Sequence, residues 1–293
     1  MKIIHILKGK ADPNTLNGVN KVVHHLATEQ LKLNFDVEVW GITFSPDITR
    51  HKHDYPLHLF SASKTRFLID SQLTNRIHSL PKNSIAHLHS VFLPELYSVG
   101  QVLHKNSIPF VLTPHGGYSP QSRKKNRLNK SIYMALFEKR LLAKTHKLHA
   151  IGESEVKDLS NLAPSKPVIL IPNGQDFDEV KFSPTKTTVP VERPLFGFCG
   201  RLAKSHKGLD LLIKGFAHYR QTGGSGELWL IGAGPDKHLL KKLAEKKNVT
   251  EHVKFLGKMF GDTKLSHFLE MDIFVHTSRW DGIPMAVLEA AAM

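Results

Sequence analysis

The sequence predicts a two-domain α/β protein in which each domain is built on a parallel sheet. Short apolar runs of strand length alternate with helical segments, the alternation stops in a proline-rich stretch at 177–194, and it restarts at residue 195. Alternating strand and helix units favour parallel sheets with helices on both faces. A chain of 293 residues with 41% hydrophobic residues can form two such cores. The predicted domains are 1–176 and 195–293, and 177–194 is the linker.

The first domain opens with a β-α-β unit. Residues 2–7 form an apolar run, residues 19–33 have apolar side chains at helical spacing, and residues 36–40 alternate like a strand. Residues 45–63 are rich in Pro, His and Asp and are predicted to be an irregular connection. Further strands are predicted at 85–89, 110–113, 148–151 and from residue 168, with helices at 66–80, 94–105 and 154–162. Ser154 is the predicted N-cap of the last helix.

The second domain repeats this pattern. Its strands are predicted at 195–200, 227–231, 252–256 and 272–276, and its helices at 208–220, 237–247 and 285–292. Residues 201–206 are predicted to be a loop. The Gly-Ala-Gly turn at 232–234 lacks the third glycine and the downstream acid of a dinucleotide fingerprint, so NAD binding is not predicted.

Composition limits the classes of partner. Forty Lys and Arg against 26 Asp and Glu give a net charge of +14, which attracts nucleic acid, anionic lipid or a phosphorylated substrate. Without zinc-finger spacing or an RNA-recognition aromatic motif, nucleic acid is not an expected partner. The single cysteine, Cys199, excludes an internal disulfide and favours the cytoplasm. The 19 histidines show no metal-ligand spacing, so most are expected to be packed or exposed and no metal is expected.

Two carboxylates frame a loop near residue 285. Asp281 and Glu289 are eight residues apart, with Gly282 and Pro284 between them. The run from Met285 onward has strong helix propensity, and backbone N–H groups at the start of such a helix suit an anion or a ring of hydroxyls. The alternative, from these residues alone, is an exposed Asp in a turn and an ordinary helical Glu.

Two cations, Arg201 and Lys207, lie between the first strand and the first helix of the second domain. The helix dipole and backbone donors of such a loop favour anions, although loop cations are also common on plain surfaces.

Two residues of the first domain are candidates for ligand contact. His115 follows the strand at 110–113, at the sheet edge where open α/β sheets bind ligands, and the glycines after it leave the imidazole room to face a cleft. Gly18 lies in the loop after the first strand, where a glycine lets a ligand approach the backbone. The alternatives are a structural histidine and simple turn chemistry.

Five separated motifs resemble the retaining glycosyltransferases of family 4, also called glycosyl transferases group 1. They are the Gly-Val step at 18–19, Thr-Pro-His-Gly at 113–116, Pro-Asn-Gly-Gln-Asp at 172–176, Gly-Arg-Leu-x5-Gly at 200–208, and the Asp-x7-Glu pattern at 281–289. Asp281 departs from the family, which most often has Glu there. The resemblance implies the GT-B fold, two Rossmann-like domains facing a cleft. The second domain is expected to be incomplete, because the family has further strands and a closing helix.

The resemblance also implies an activity: transfer of a sugar from a nucleotide diphosphate sugar to an acceptor hydroxyl, with retention and no metal or cofactor, in bacterial-type polysaccharide or glycolipid synthesis. By this resemblance, Arg201 and Lys207 would stabilise the diphosphate and Glu289 would bind ribose hydroxyls. Asp281 would hold the sugar and His115 would orient it. The other implied donor-binding residues are Gly18, Leu256, Gly282, Ile283, Pro284 and Met285.

The expected partners are the nucleotide-sugar donor and a sugar or lipid-linked acceptor. The segment 121–147 has nine Lys or Arg against one acid, Glu138. It is either a core-packed helix with a solvated face or a contact with anionic lipid at the inner face of the membrane. Two other functions remain open from the sequence: a nucleotide-sugar epimerase of similar architecture and a noncatalytic nucleotide-sugar-binding fragment.

Overall fold

The computed structural model describes residues 1–47, 51–124, 126–174 and 191–293. It divides into two compact units, Met1–Asn173 and Gly174–Met293. Most of the predicted linker at 177–194 lies outside the described residues, as do Gln175 and Asp176 of the motif at 172–176.

The described residues of the first unit form a seven-stranded sheet whose strands are all parallel. In chain order these strands are β1 (Lys2–Lys8), β2 (Asp36–Thr43), β3 (Leu57–Ser61), β4 (Ser84–His89), β5 (Phe110–Thr113), β6 (Lys147–Ala150) and β7 (Val168–Leu170). Their spatial order is β3-β2-β1-β4-β5-β6-β7, so the order reverses between β1 and β4. Open α/β sheets bind ligands outside the carboxyl ends of the strands at such a reversal.

Helices cover both faces of this sheet, which is why its central strands are apolar on both sides. The helices are α1 (Gly18–Lys32), α2 (Ser71–His78), α3 (Pro94–Lys105), α4 (Pro120–Lys124), α5 (Arg127–Tyr133), α6 (Lys139–Lys144) and α7 (Glu153–Leu162). A π-helical turn, Met134–Glu138, joins α5 to α6. Helix α1 begins where the Asn17 side chain accepts a hydrogen bond from the Val19 N–H at 3.1 Å.

The second unit has a four-stranded parallel sheet in its described residues. Its strands are β8 (Leu195–Cys199), β9 (Glu227–Ile231), β10 (Val253–Gly257) and β11 (Ile273–Phe274), in the spatial order β10-β9-β8-β11. Its helices are α8 (Lys204–Lys207), α9 (Leu209–Gln221), α10 (Lys237–Lys246), α11 (Gly261–Glu270) and α12 (Met285–Ala291). The strand order reverses between β8 and β11, so the loops after these two strands flank the expected ligand position.

The predicted α/β class with parallel sheets is confirmed in both units. Several element predictions are wrong in detail. The connection predicted as irregular at 45–63 contains β3, and the helix predicted at 66–80 is only α2, because the Asp70 side chain caps it by accepting from the Gln72 N–H at 2.8 Å. Helix α7 begins after Gly152, so Ser154 lies inside it and is not its N-cap.

In the second unit, the loop predicted at 201–206 includes the first residues of α8, and the strand predicted at 272–276 is limited to β11. Helix α11 has no counterpart in the prediction. Across the part of the chain that is described, no helix combines the length and the apolar character needed to cross a membrane.

Candidate functional site

The loops after β8 and β11 are fastened to each other in the second unit. The Thr277 hydroxyl donates to the Lys207 carbonyl at 3.0 Å, and the Arg279 N–H donates to the His206 carbonyl at 2.9 Å. Gly208 has φ +62°, and a Cβ there would lie 2.0 Å from the Thr277 carbonyl oxygen. The glycine is therefore required by backbone conformation and by the close approach of the second loop.

A bidentate ion pair reinforces this contact. Both terminal nitrogens of Arg279 lie 2.9 Å from carboxylate oxygens of Asp210, which is buried in the first turn of α9. One of these nitrogens also donates to the Lys204 carbonyl at 2.8 Å. The hydrogen bond from Arg279 lowers the pKa of the Asp210 carboxyl. Neither residue could be selected from the sequence, because the two are separated by a long stretch of chain and match no motif.

Asp281 lies within this pair of loops and is ion-paired with the Lys207 ammonium. His276 Nε2 is 3.2 Å from Asp281 Oδ2. Burial acts to raise the pKa of the Asp281 carboxyl, but the His276 ring and the Lys207 charge outweigh it and lower this pKa to about 2. Asp281 is therefore an anion at neutral pH. The structure thus brings together two predicted site residues and adds His276.

Arg201 is exposed at the beginning of the same loop. The residues between Asp281 and α12 are partly buried at Gly282, Ile283 and Pro284. Met285 is the first residue of α12 and Pro284 precedes it as the N-cap. All these predicted donor-binding residues lie on the loops that flank the β8–β11 reversal or at the helix that follows.

Glu289 is buried in α12 and paired with a lysine that the sequence analysis did not identify. Its carboxylate Oε2 lies 2.8 Å from Nζ of Lys264 on α11, and both side chains are less than a tenth exposed. A buried carboxylate needs such compensation. Because α11 was not predicted, the sequence offered no signal that Lys264 faces this carboxylate.

Leu256 lies on β10, which is separated from β8 by β9. It lines a cavity of about 370 Å³ between β10 and α10. The adjoining Gly257 carbonyl accepts from the Gly232 N–H at 2.6 Å, which ties the ends of β9 and β10 together. The base-binding role expected for Leu256 stays a prediction.

Gly18 is the first residue of α1 in the first unit and is exposed. A Cβ at Gly18 would meet no atom within 4 Å, so packing within the protein does not require a glycine there. By contrast, Gly9 at the end of β1 has φ +152°, and a Cβ there would lie 2.2 Å from Asn20 Oδ1. Space is therefore available beside Gly18 for a ligand.

His115 lies just past β5 in a left-handed conformation, with φ 51°. The buried Glu155 carboxylate fixes this turn, because one oxygen accepts from the Gly116 N–H at 2.6 Å and the other from the Ile151 N–H at 2.9 Å. His115 as a whole residue is partly exposed, and desolvation of its ring lowers the pKa to about 3. His115 is therefore neutral at physiological pH.

A chain of hydrogen bonds leads from His115 into the sheet at the β1–β4 reversal. His115 Nε2 is 3.1 Å from His89 Nδ1, His89 Nε2 is 3.0 Å from His5 Nδ1, and His5 Nε2 is 2.7 Å from Gln30 Oε1. Desolvation lowers the pKa of His5 to about 4 and holds that of His89 well below its usual range, so the rings are neutral. The Gln30 oxygen can only accept, so His5 Nε2 must carry the proton of that ring. A neutral imidazole has one N–H, so His5 Nδ1 accepts from His89 Nε2, and His89 Nδ1 accepts from His115 Nε2. Nδ1 of His115 is therefore unprotonated.

Two family models match the chain. The model described as Glycosyltransferase Family 4 matches residues 16–179, more than half of the chain, and the model described as Glycosyl transferases group 1 matches residues 179–293. The chain belongs to glycosyltransferase family 4. The resemblance inferred from the five motifs is thereby confirmed.

Curated relatives of this family 4 chain align over part of their length. EpsF of Bacillus subtilis (strain 168), which is named as a glycosyltransferase, is 28% identical over 173 residues, 55% of this chain and 44% of the relative. A GDP-mannose-dependent α-(1-6)-phosphatidylinositol monomannoside mannosyltransferase of Mycobacterium tuberculosis (strain H37Rv) is 29% identical over 134 residues, 44% of this chain and 34% of the relative. The chain thus spans less than half the length of these relatives.

Solved structures share the fold. Sucrose-phosphate synthase from Thermosynechococcus elongatus matches with a TM-score of 0.74 at 15% identity, covering 99% of this chain and 79% of that one. HepE of Anabaena in complex with UDP-glucose matches with a TM-score of 0.72 at 16% identity, covering 100% of this chain and 78% of that one. At such low identities the likeness establishes the fold of this family 4 member.

Proposed function

We propose that the chain transfers a sugar from a nucleotide diphosphate sugar to an acceptor hydroxyl, with retained anomeric configuration, in polysaccharide or glycolipid synthesis. The observation that carries this proposal is the constellation of the Lys207–Asp281 ion pair and the neighbouring Arg201 at the β8–β11 reversal. The diphosphate group of a nucleotide sugar is an anion, and this loop presents two cations that can bind it. One relative is named as GDP-mannose-dependent, and one structural neighbour is a complex with UDP-glucose. GDP and UDP are therefore the first nucleotides to test.

The departing diphosphate gains negative charge as the sugar leaves, and fixed cations stabilise that charge in the transition state. An ammonium has three donors, so Lys207 can keep its contact with Asp281 while it also meets a phosphate oxygen. Arg201 supplies the second cation. With these cations in place, the proposed transfer needs no metal at this site.

The other predicted site residues keep the roles that the family resemblance implies. Glu289 accepts from ribose hydroxyls, and Asp281 with the backbone of Gly282 to Met285 binds hydroxyls of the sugar. Leu256 contributes backbone contacts to the base, and the backbone at Gly18 approaches the ligand. His115 orients the transferred sugar, and its Nδ1, which the hydrogen-bond chain leaves unprotonated, is an acceptor for a sugar hydroxyl.

Thermal-shift titration with UDP, GDP, ADP and CMP, each with and without its sugar, tests the proposal. We expect one nucleoside diphosphate to raise the unfolding temperature. In calorimetry, Arg201→Ala should weaken binding of that diphosphate by about 10- to 100-fold, since a charge-assisted hydrogen bond contributes about 1.5–3 kcal/mol. The affinity for the free nucleoside should stay the same.

Arg193→Ala is the matched control, because Arg193 pairs with Asp272 at the opposite, amino-terminal end of β8 and β11. Diphosphate affinity should be unchanged in this variant. Equal loss of diphosphate and nucleoside affinity in Arg201→Ala, or no thermal shift with any nucleotide, contradicts the proposed donor site.

We propose in addition that the basic segment 121–147 binds anionic lipid at the inner face of the membrane. Leu128, Ile132 and Leu136 form a stripe at four-residue spacing that is 73%, 50% and 46% exposed. Exposed cations flank the stripe, among them Arg127 and Lys139. The opposite side of the segment packs on the core, so the segment combines the expected packed face with an exposed amphipathic one. Such a surface suits a lipid-linked acceptor.

A further inference from the structure

Three histidines of the first unit that have no assigned role in sugar transfer converge. His24 lies on α1, and His51 and His53 lie on the connection between β2 and β3. The ring centroids are 4.9 Å apart for His24 and His51, 4.9 Å for His51 and His53, and 5.5 Å for His24 and His53. One nitrogen from each ring lies within 4.8 Å of the other two. These three residues are called the His24 cluster below.

Two ring nitrogens of the His24 cluster have environments that suit metal ligands. His24 Nδ1 is 3.0 Å from the hydroxyl oxygen of Tyr55, a buried side chain, so Nε2 of His24 points elsewhere. Metal-binding histidines typically donate their second ring N–H to such a partner, which fixes the ring. His53 Nδ1 is buried and has no hydrogen-bond partner among the residues that the structure describes. A buried polar atom without a partner costs free energy that a bound ion removes.

Two carboxylates lie close to the His24 cluster. Asp12 and Asp54 both act electrostatically on His53, which places negative charge near the three imidazoles. Lys21 is a nearby positive charge that acts on His24.

A second histidine trio fits a metal less well. His5, His87 and His89 also bring one nitrogen each within 4.8 Å. However, the nitrogens of His5 are already hydrogen-bonded to His89 and Gln30, and His87 Nε2 lies 2.6 Å from the Thr113 hydroxyl. His5 and His89 are also fully buried in the sheet, with no exposed surface for an ion to approach. The His24 cluster is partly exposed at all three residues.

We propose that the His24 cluster is a binding site for a divalent transition metal, with Zn²⁺ as the fitting ion, held by three imidazole nitrogens with a fourth position for water. Imidazole nitrogens bind Zn²⁺ at about 2.0–2.1 Å in tetrahedral geometry, which places them about 3.4 Å apart. The three nitrogens lie within 4.8 Å of one another, so binding of the ion draws them closer together. The ion then ties α1 to the β2–β3 connection.

Zinc binding by the full chain tests this site. After removal of metals, equilibrium dialysis against Zn²⁺ buffered by a chelator should give one tightly bound equivalent. His51→Ala and His53→Ala should each weaken that equivalent by at least about 100-fold, since even partners of metal ligands contribute 10- to 100-fold. His104→Ala, which removes an exposed histidine on α3, is the matched control and should bind as tightly as the parent chain.

Two further measurements separate the site from its alternatives. Co²⁺ should give the visible absorption of a tetrahedral complex in the parent chain and in His5→Gln, but not in His51→Ala. Zn²⁺ should raise the unfolding temperature of the parent chain and not that of His51→Ala, whose metal-free unfolding temperature shows that it is folded. Loss of the tight equivalent in His5→Gln but not in His53→Ala, or equal Zn²⁺ affinity in all variants, overturns the assignment.

Discussion

At the scale of single residues, Lys264 and Glu289 form an ion pair that is almost fully buried. The lysine covers the carboxylate at 2.8 Å where water is largely excluded. Removal of one partner of a buried pair costs about 3–5 kcal/mol, because the other charge is left uncompensated. We therefore expect Lys264→Met to lower the free energy of unfolding by about 3 kcal/mol, measured by urea denaturation.

The double variant Lys264→Met/Glu289→Gln should recover at least half of this loss, since it also removes the carboxylate charge that Lys264 faced. Lys242→Met is the control, because Lys242 is an exposed helical lysine on α10. If Lys264→Met is as stable as Lys242→Met, the pair does not contribute to folding and the carboxylate is stabilised in another way.

At the scale of elements, the junction between the loops after β8 and β11 depends on Gly208. A side chain there meets both a positive φ and the Thr277 carbonyl at 2.0 Å. We expect Gly208→Ala to destabilise the second unit by about 2 kcal/mol or more, because the left-handed conformation alone costs about 1–2 kcal/mol and the backbone must also move.

Gly215→Ala is a matched control inside α9, the helix that Gly208 precedes. A Cβ at Gly215 meets no atom within 4 Å, and alanine is the better helix former, so this variant should be more stable by about 0.5–1 kcal/mol. Urea unfolding of the two variants should therefore shift in opposite directions. A Gly208→Ala variant as stable as the parent would show that the two loops can separate without cost.

The exposed apolar stripe of the basic segment should contribute to binding of anionic vesicles. The parent chain should float with anionic vesicles more than with neutral ones, and less at higher salt, because exposed charges are screened over about 8 Å at physiological ionic strength. Combined replacement of Leu128, Ile132 and Leu136 by Ser should reduce flotation several-fold. The control replaces the equally exposed Leu33, Leu211 and Leu239 by Ser and should float like the parent.

Flotation that does not depend on lipid charge, or that survives the first triple replacement unchanged, would indicate that this segment serves only to pack on the core. The proposal that this segment binds anionic lipid would then be wrong. The proposal for the donor site does not depend on it.

The elements also show what the sequence could and could not predict. Strands such as β1 and β9 were predicted closely, because a strand covered by helices on both sides is an apolar run. The edge strand β3 was missed, since it pairs with β2 alone and contains His58. Helix α11 mixes charged and apolar residues over ten positions without a strong cap signal.

The site residues divide in the same way. Arg201, Lys207 and Asp281 could be selected because they stand in family motifs that follow predicted strands, and Glu289 because its motif continues into the predicted helix. Their partners could not, since contacts such as Lys264–Glu289 or Arg279–Asp210 join elements whose packing no local pattern specifies. The histidine clusters were overlooked for the same reason: their members lie on different elements and meet only in the folded unit.

At the scale of the whole molecule, the two units should respond differently to acid. Fully buried polar side chains of the first unit include His5 and His89, whereas none of the buried polar side chains in the described part of the second unit is a histidine. Burial lowers the pKa of His5 to about 4, while an exposed histidine titrates near 6.5. The unfolded chain therefore binds a proton before the folded unit does.

The lowered pKa of His5 makes its full contribution to the free energy of unfolding above pH 6.5. This contribution falls by about 1.4 kcal/mol for each pH unit between pH 6.5 and about 4, where it is lost. Between pH 6.5 and 5 this amounts to about 2 kcal/mol. The raised pKa values of Glu138 and Glu155, caused by burial, act in the opposite direction, because the folded unit then gains protons first. A variant is therefore needed to isolate the contribution of the histidine.

Tryptophan fluorescence can follow each unit separately, since Trp40 lies in the first unit and Trp229 and Trp280 lie in the second. In Trp229→Phe/Trp280→Phe, urea unfolding at pH 7.5 and pH 5 should show a loss of stability on acidification. Adding His5→Gln, which keeps a polar side chain but does not titrate, should reduce that loss by about 2 kcal/mol. Trp40→Phe should report a smaller acid effect in the second unit. An acid response that His5→Gln leaves unchanged would mean that His5 takes up a proton in the folded protein as readily as in the unfolded chain.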